Sequence, residues 1–401
     1  MNVVYILHSV DANEGSSKAI KCLLEGLMAK GVKPTVVLPR REGLYWELSR
    51  MGINVIAVPM RPSAYPKCDS FKKCLLLVPR LVYWHLLNEC AHVRLLKLLK
   101  GKHVDLIHTN VSIVSVGFRL SKRLKVPHVL HIREYFDTSL HKWYFPSMRY
   151  FRKICASPHA YTICITKDIQ KHYGLTGVKS SCVVYDGVCR QGTLAPVGDK
   201  KRYFLFAGKI YSVKGVLELL KAYCEYVRAA EGDAVPLLIA GAVGNDAYYR
   251  KVISYVENHG IKDKVSFLGQ RDDVDELMRH ALATVIPSLF EGFGFCMVEA
   301  MFNKCLVIGR NTGGTKEQFD NGMELCGKEI GLRFDTEEQL ARHLVDVAAH
   351  APACYDDMIR MAADTVSQLY STETHVENVY GVYKTMLAEE HGGEHLRNET
   401  T

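Results

Sequence analysis

Short runs of β-branched and aliphatic residues alternate with longer amphipathic segments, and the alternation runs twice along the chain. The first series is VVYIL, a helical stretch near 15–30, TVVLP, a helical stretch near 43–51 and INVIAV, then VDLIH, a helical stretch near 112–125 and PHVLHI. AYTICI and SCVVY read as two further strands. The second series is YFLFAG, helix 213–230, VPLLIAG, helix 246–259, KVSFLG, helix 273–281, ATVIP, helix 295–302 and CLVIG. Apolar runs separated by helix-period segments specify parallel strands joined by helical crossovers. Each series therefore predicts one doubly wound, Rossmann-like α/β domain. QGTLAPVGDK (191–200) is polar, holds Gly and Pro, has no apolar period, and reads as a linker. The expected domains are 1–190 and 191–372. Three helical segments close the chain, and the last, about 373–388, is expected to pack back on the first domain. HGGEHLRNETT after it reads as a frayed tail. Two such domains are expected to leave a cleft lined by strand C-termini, where ligands bind in open α/β sheets.

A length of 401 residues, 48% of them hydrophobic and 23% charged, supplies two globular cores. The 13 cysteines include no C-x-x-C and sit singly in apolar runs such as TICIT, so they read as reduced thiols rather than disulfides or zinc ligands. MNVVYILHSV lacks a basic leader and is broken by His8 and Asp11, and the longest apolar run is interrupted by Pro79 and Arg80. A cytoplasmic chain is expected. The net charge of +8 divides unevenly. Residues 1–190 hold 29 Lys and Arg against 12 Asp and Glu, and 191–401 hold 22 against 31. Only the first half is suited to an anionic surface.

Three segments carry chemistry. In PSLFEGFGFCMVEAM (287–301), Glu291 follows a strand and precedes Glu299 by eight positions. Gly292 and Gly294 let the backbone approach a ligand, and a helix starting near Gly294 would aim its first N–H groups at a phosphate. Two carboxylates beside an anion site are tolerable if they accept hydrogen bonds from sugar hydroxyls; otherwise they are a loop acid and a capping acid. In FLFAGKIYSVKG (204–215) a strand ends at Gly208, and Lys209 and Lys214 follow. They suit a diphosphate leaving group, or are solvated loop lysines. CLVIGRNTGGTKE adds a Gly-rich turn with Gly313, Gly314 and Glu317.

In this order and spacing the three segments resemble the retaining GT-B glycosyltransferases of family 4, over nearly the whole chain and most specifically over 204–317. The resemblance implies two Rossmann-like domains of GT-B type and transfer of a hexose-type unit from a nucleotide-sugar donor to a hydroxyl of a saccharide or lipid-linked acceptor, with anomeric retention, in cell-surface polysaccharide or glycolipid synthesis. It implies that Glu291 binds donor-sugar hydroxyls and Glu299 the ribose, with Phe293, Gly294 and Phe295 N–H groups on sugar and phosphate. Lys209 and Lys214 match the family's basic pair on the diphosphate, the first usually Arg. FLGQR puts Gln270 and Arg271 near the nucleobase. HTN (108–110) and VPHVLHIRE (126–134) match strand-end loops. Where many members carry His, this chain has Arg133, with His131 two residues earlier; both share a face if the strand continues, and either is a candidate for the reacting centre. The usual Gly-Gly after the first strand is reduced to Gly15 and Ser16, and the family's Asn-Gly is Asp186-Gly187. No side-chain nucleophile is expected, and neither a cofactor nor a metal. Asp273-Val274-Asp275 imitates a metal-binding D-x-D but falls where a helix begins, so it reads as capping and dipole compensation. A GT-B sugar-nucleotide epimerase and a non-catalytic partner subunit are the alternatives.

Segment 67–100 combines Lys72, Lys73, Arg80, Arg94, Lys97 and Lys100 with Leu, Val, Tyr and Trp. It reads either as core-packing helices with solvated basic faces or as a peripheral attachment to an anionic membrane. No nucleic-acid module is present.

Overall fold

A computed structural model describes the chain except for residues 13–14, 67–74, 138–141, 158, 189–198 and 399–401, and the side chains of 389–398. Most of the expected linker lies outside the described residues. The chain divides into unit 1, Met1–Gly187 with Thr372–Thr401, and unit 2, Val188–Ser371.

Unit 1 begins with β1 (Asn2–Ile6), α1 (Gly15–Ala29), β2 (Lys33–Leu38), α2 (Leu44–Arg50), β3 (Asn54–Ala57) and β4 (Ala64–Pro66). Then come α3 (Leu77–Leu99), β5 (Leu106–Thr109), α4 (Val116–Leu124), β6 (His128–Ile132), β7 (Lys142–Tyr144) and α5 (Met148–Cys155). It continues with β8 (Ala160–Cys164), α6 (Lys167–His172) and β9 (Ser181–Val183). The main sheet is parallel throughout, in the order β3-β2-β1-β5-β6-β8-β9. β4 and β7 form a separate antiparallel pair that the apolar rhythm did not announce, each being only three residues long. Pro79 is tolerated in α3 because it sits in the first turn, where no N–H donor is needed.

Unit 2 runs β10 (Phe204–Ala207), a 3-10 turn (Ser212–Lys214), α7 (Val216–Ala229), β11 (Leu237–Ala240), α8 (Asp246–Asn258), β12 (Val265–Gly269) and α9 (Val274–His280). It continues with β13 (Ala283–Ile286), α10 (Phe295–Phe302), β14 (Leu306–Arg310), α11 (Gly313–Cys326), β15 (Leu332–Phe334), α12 (Glu337–Ala349) and α13 (Asp356–Leu369). Its parallel sheet has the order β12-β11-β10-β13-β14-β15. Strand order reverses between β10 and β13, so the loops after these two strands flank a topological switch point, where such sheets bind ligands.

The final helix, α14 (Thr372–Asn398), returns to unit 1. Val376, Val379, Val382, Tyr383 and Met386 join the core built by Val3, Tyr5, Leu23, Leu27 and Val36. Gly26 of α1 permits this approach, because a Cβ there would overlap Val376. The helix reaches Asn398, past the expected end near 388, so the tail read as frayed is helical through that residue. None of the cysteines among the described residues is in a disulfide, and no helix among them is long and apolar enough to cross a membrane.

Candidate functional site

The switch point of unit 2 gathers the strongest sequence signals. β10 ends at Ala207 and the chain passes through Gly208 (φ 152°) to the 3-10 turn that carries Lys214. Gly215 ends that turn in the left-handed region (φ 68°), and a Cβ there would overlap the Pro287 carbonyl. The loop after β13 is hydrogen-bonded to the same turn, Leu289 N–H donating to Val213 O at 2.8 Å. The two loops are thereby held side by side, and Lys214 Nζ meets Glu291 Oε1 at 2.5 Å, with side-chain exposures of 23% and 11%.

The turn that presents Glu291 is laced to α11. Gly314 N–H donates to Glu291 O at 2.9 Å, and Gln318 Nε2 donates to Phe293 O at 2.6 Å. A Cβ on Gly313 would overlap the Glu291 carbonyl, and one on Gly314 would overlap that of Phe293. This is the packing reason for the Gly-rich turn. Gln318, absent from the sequence reading, is the fastener, and its place one helical turn past Gly314 is the signal that marks it. Phe293 itself is buried and stacks edge-on against Phe295 and Tyr370.

Gly294 (φ 90°) caps α10. Among the described residues, the N–H groups of Phe295 and Cys296 meet no acceptor, so the helix opens with donors and a positive dipole end beside the Lys214–Glu291 pair. Cys296 Sγ donates to Ala207 O at 3.2 Å, which ties α10 to the end of β10. Burial pushes the Cys296 thiol up, and Glu299, Lys214 and Glu291 also act on it electrostatically. Glu299 is half-buried one turn into α10. Burial alone would lower Lys214, but the Glu291 carboxylate beside it prevails and holds the ammonium above its ordinary value.

The remaining residues of unit 2 are arranged differently. Lys209 is exposed, its stem packed near Gly244. Gln270 and Arg271 lie exposed after β12, and Arg271 is engaged by Asp273 at 2.7 and 2.5 Å. Asp273 sits at the N-cap of α9 but makes no capping bond; its carboxylate is spent on Arg271, so the capping expectation is corrected. Asp275, in the first turn, accepts from Asn303 Nδ2 at 2.8 Å. No group of three or more His, Cys, Asp or Glu arranged for a metal occurs among the described residues.

In unit 1, α1 opens at Gly15, with Gly15 and Ser16 half-buried in its first turn. His131 and Arg133 do share a face, Arg133 Nη2 lying 3.2 Å from His131 Nδ1, although β6 ends at Ile132. His131 is fully buried and Arg133 is 8% exposed. The Arg133 guanidinium is committed inward, donating to Asn110 O at 3.1 Å and pairing with the fully buried Asp186. His375 of α14 completes the group, its Nδ1 accepting from Gly187 N–H at 3.0 Å. Arg133 and Asp186, two of the positions at which this chain departs from the pattern it resembles, are therefore partners. Burial keeps His131 well below its usual value, and it takes His375 down to about 4 despite the upward pull of Asp186.

Residues 195–352 match the model of the family described as glycosyl transferases group 1. The chain is 27% identical over 199 residues to the N-acetyl-alpha-D-glucosaminyl L-malate synthase of Bacillus anthracis, covering 49% of each. It is 26% identical over 261 residues to the UDP-Gal:alpha-D-GlcNAc-diphosphoundecaprenol alpha-1,3-galactosyltransferase of Escherichia coli, covering 57% of this chain and 64% of that one. The chain spans about half to two thirds of the length of the curated relatives it matches. The crystal structure of Anabaena Alr3699/HepE in complex with UDP superposes with a TM-score of 0.72 at 17% identity, over 96% of this chain and 100% of that one, a likeness that shows the fold.

Proposed function

Since residues 195–352 are a glycosyl transferases group 1 region within a GT-B fold, we propose that this chain transfers a sugar from a nucleotide-sugar donor to a hydroxyl acceptor, with retention at the anomeric carbon. The observation that carries the reading is the Lys214–Glu291 pair beside the open N-terminus of α10. Each partner currently satisfies the other. A ligand that displaces their contact must bring an anion for the ammonium and a donor for the carboxylate. A nucleotide sugar brings both in one molecule, diphosphate and sugar hydroxyls.

In this reading Lys214, with Lys209 and the Phe295 and Cys296 amides, neutralises the departing diphosphate, which is the main demand of the reaction. These groups supply the positive charge, so no divalent metal is assigned. Glu291 orients the donor sugar and Glu299 the ribose. Gln270 and Arg271 lie at the end of β12, where a base would be read. Gly15 and Ser16 open α1 with donors that fit a phosphate or an acceptor. Arg133 is held by Asn110 and Asp186, which fits a role in positioning the loop after β5, whereas His131 Nε2 is buried and unpartnered; both stay candidates for the reacting centre. The acceptor is proposed to be a saccharide or lipid-linked saccharide in cell-surface polymer assembly, in keeping with the diphosphoundecaprenol acceptor in the name of the Escherichia coli relative.

The test is turnover of a labelled nucleotide sugar with and without acceptor, followed by NMR of the product's anomeric configuration. Wild type forms a product of retained configuration in the presence of EDTA, and Lys214→Ala/Glu291→Ala does not. Wild-type turnover by the double variant refutes the assignment. Donor consumption that needs no acceptor points instead to epimerisation.

A further inference from the structure

α3 presents two faces of opposite character. Asn88, Ala91, Leu95 and Leu99 are buried on one side. On the other, Val78, Val82, Leu86 and Val93 are exposed by 66%, 53%, 57% and 49%, with Leu75 just before the helix at 69%. Steps of three, four, four and seven residues place these five on a single stripe. The helix is 23 residues long and so runs about 35 Å. An aliphatic stripe that reaches from Leu75 to Val93, about 27 Å along the helix, is unusual in water for a self-contained domain and marks a surface that is covered in use.

Charge decides what covers it. Arg80, Arg94, Lys97 and the C-cap Lys100 are exposed along α3, and Lys122 and Arg123 are exposed on the neighbouring α4. The sole carboxylate in the two helices is Glu89, and Arg119 of α4 engages it twice at 2.5 Å. A cationic rim around an aliphatic stripe repels a second copy of itself in a self-complementary contact. It lacks the stacked aromatic platform that single-stranded nucleic acid uses, the exposed rings of the helix being Tyr83 and His85. It matches a surface with phosphates outside and hydrocarbon beneath.

We propose that α3 lies in the headgroup boundary of an anionic lipid bilayer, stripe inward, with its Arg and Lys side chains at the lipid phosphates. This concerns a face of unit 1 apart from Lys214 and Glu291 and holds whatever reaction unit 2 performs. It is tested by flotation of the full chain with phosphatidylcholine vesicles and with equimolar phosphatidylcholine–phosphatidylglycerol vesicles, at low and high salt. Wild type floats with the anionic vesicles at low salt and stays behind with the neutral ones. Val82→Glu/Leu86→Glu loses flotation at least ~10-fold with an unchanged melting temperature. Arg94→Gln/Lys97→Gln, which leaves the stripe intact, loses about fivefold per charge removed. Equal recovery with both vesicle types, or undiminished flotation of Val82→Glu/Leu86→Glu, overturns the proposal. So does a wild type that ignores vesicles but sediments as a dimer, or binds an oligonucleotide, in a way that Val82→Glu/Leu86→Glu abolishes.

Discussion

Lys214 and Glu291 hold each other at 2.5 Å in a partly buried setting, and that exchange of partners has a measurable consequence. A nucleoside diphosphate without sugar takes the ammonium and strands the carboxylate; a nucleotide sugar does not. The sugar-bearing ligand should therefore bind more tightly than the bare diphosphate, and Glu291→Gln should narrow the gap by about 10-fold or more, since hydrogen bonds to charged groups contribute roughly 1.5–3 kcal/mol. Calorimetric titration of both ligands reads this directly, and an unchanged ratio counts against the role of Glu291. The pH dependence has a defined sign. Lys214 is held above its ordinary 10.5, so the stabilisation it gives is complete below that value and is lost only in strong alkali. The Arg133–Asp186 pair makes a second prediction. Asp186→Asn leaves a buried guanidinium unpaired and should lower stability by about 3–5 kcal/mol. Arg133→His with Asp186→Asn should recover part of that loss, a coupling that a double-mutant cycle in denaturant detects. Both residues were flagged in the sequence as departures, but their pairing was not legible, because 53 residues separate them. Glu291, Lys214 and the glycines were legible because each follows a strand. Lys214 and Glu291 bonding to each other, and Gln318 fastening the loop, depend on how β10, β13 and α11 lie together.

At the scale of elements, the parallel strands announced themselves, since continuous apolar runs are what a sheet covered on both faces demands. The three-residue β15, β4 and β7 did not, being too short to show a period. α14 was legible as a helix, while its contact with unit 1 is a matter of topology. It inserts Val376, Val379, Val382, Tyr383 and Met386 into that core, and burial of each such side chain contributes about 1.5–3 kcal/mol. Truncation after Ser371 removes more than a typical domain can lose, so unit 1 should fail to fold, as circular dichroism and proteolysis would show. β6 and α14 also bury neutral histidines. His128 is held at about 3 and His375 at about 4, both by burial, against an unfolded value of 6.5. The unfolded chain binds those protons first. Stability is therefore full above pH 6.5 and falls as pH drops towards 4, by about 1.4 kcal/mol per pH unit for each histidine. Melting temperatures between pH 7 and pH 5 should fall steadily, and His375→Gln should flatten the slope. A slope unchanged in that variant contradicts the buried neutral state.

For the molecule as a whole, the basic half of the sequence includes the cationic helices α3 and α4, while the acidic excess of the second half is shared between unit 2 and the α14 end of unit 1; in unit 2, Lys214 and helix amides meet at one switch point. A unit that keeps Lys214, paired with Glu291, and an open helix end at its strand C-termini selects for an anion that arrives with hydroxyls attached. The direct test is a thermal-shift series with UDP-, GDP- and ADP-sugars in EDTA, on wild type and on Lys214→Ala. At a hundred times the dissociation constant a ligand adds about 2.7 kcal/mol, which for a domain the size of unit 2 is roughly 5–10 °C. One nucleotide sugar should produce that rise in wild type and none in Lys214→Ala. No rise with any of the three, or an equal rise in Lys214→Ala, would contradict a donor site built on this lysine.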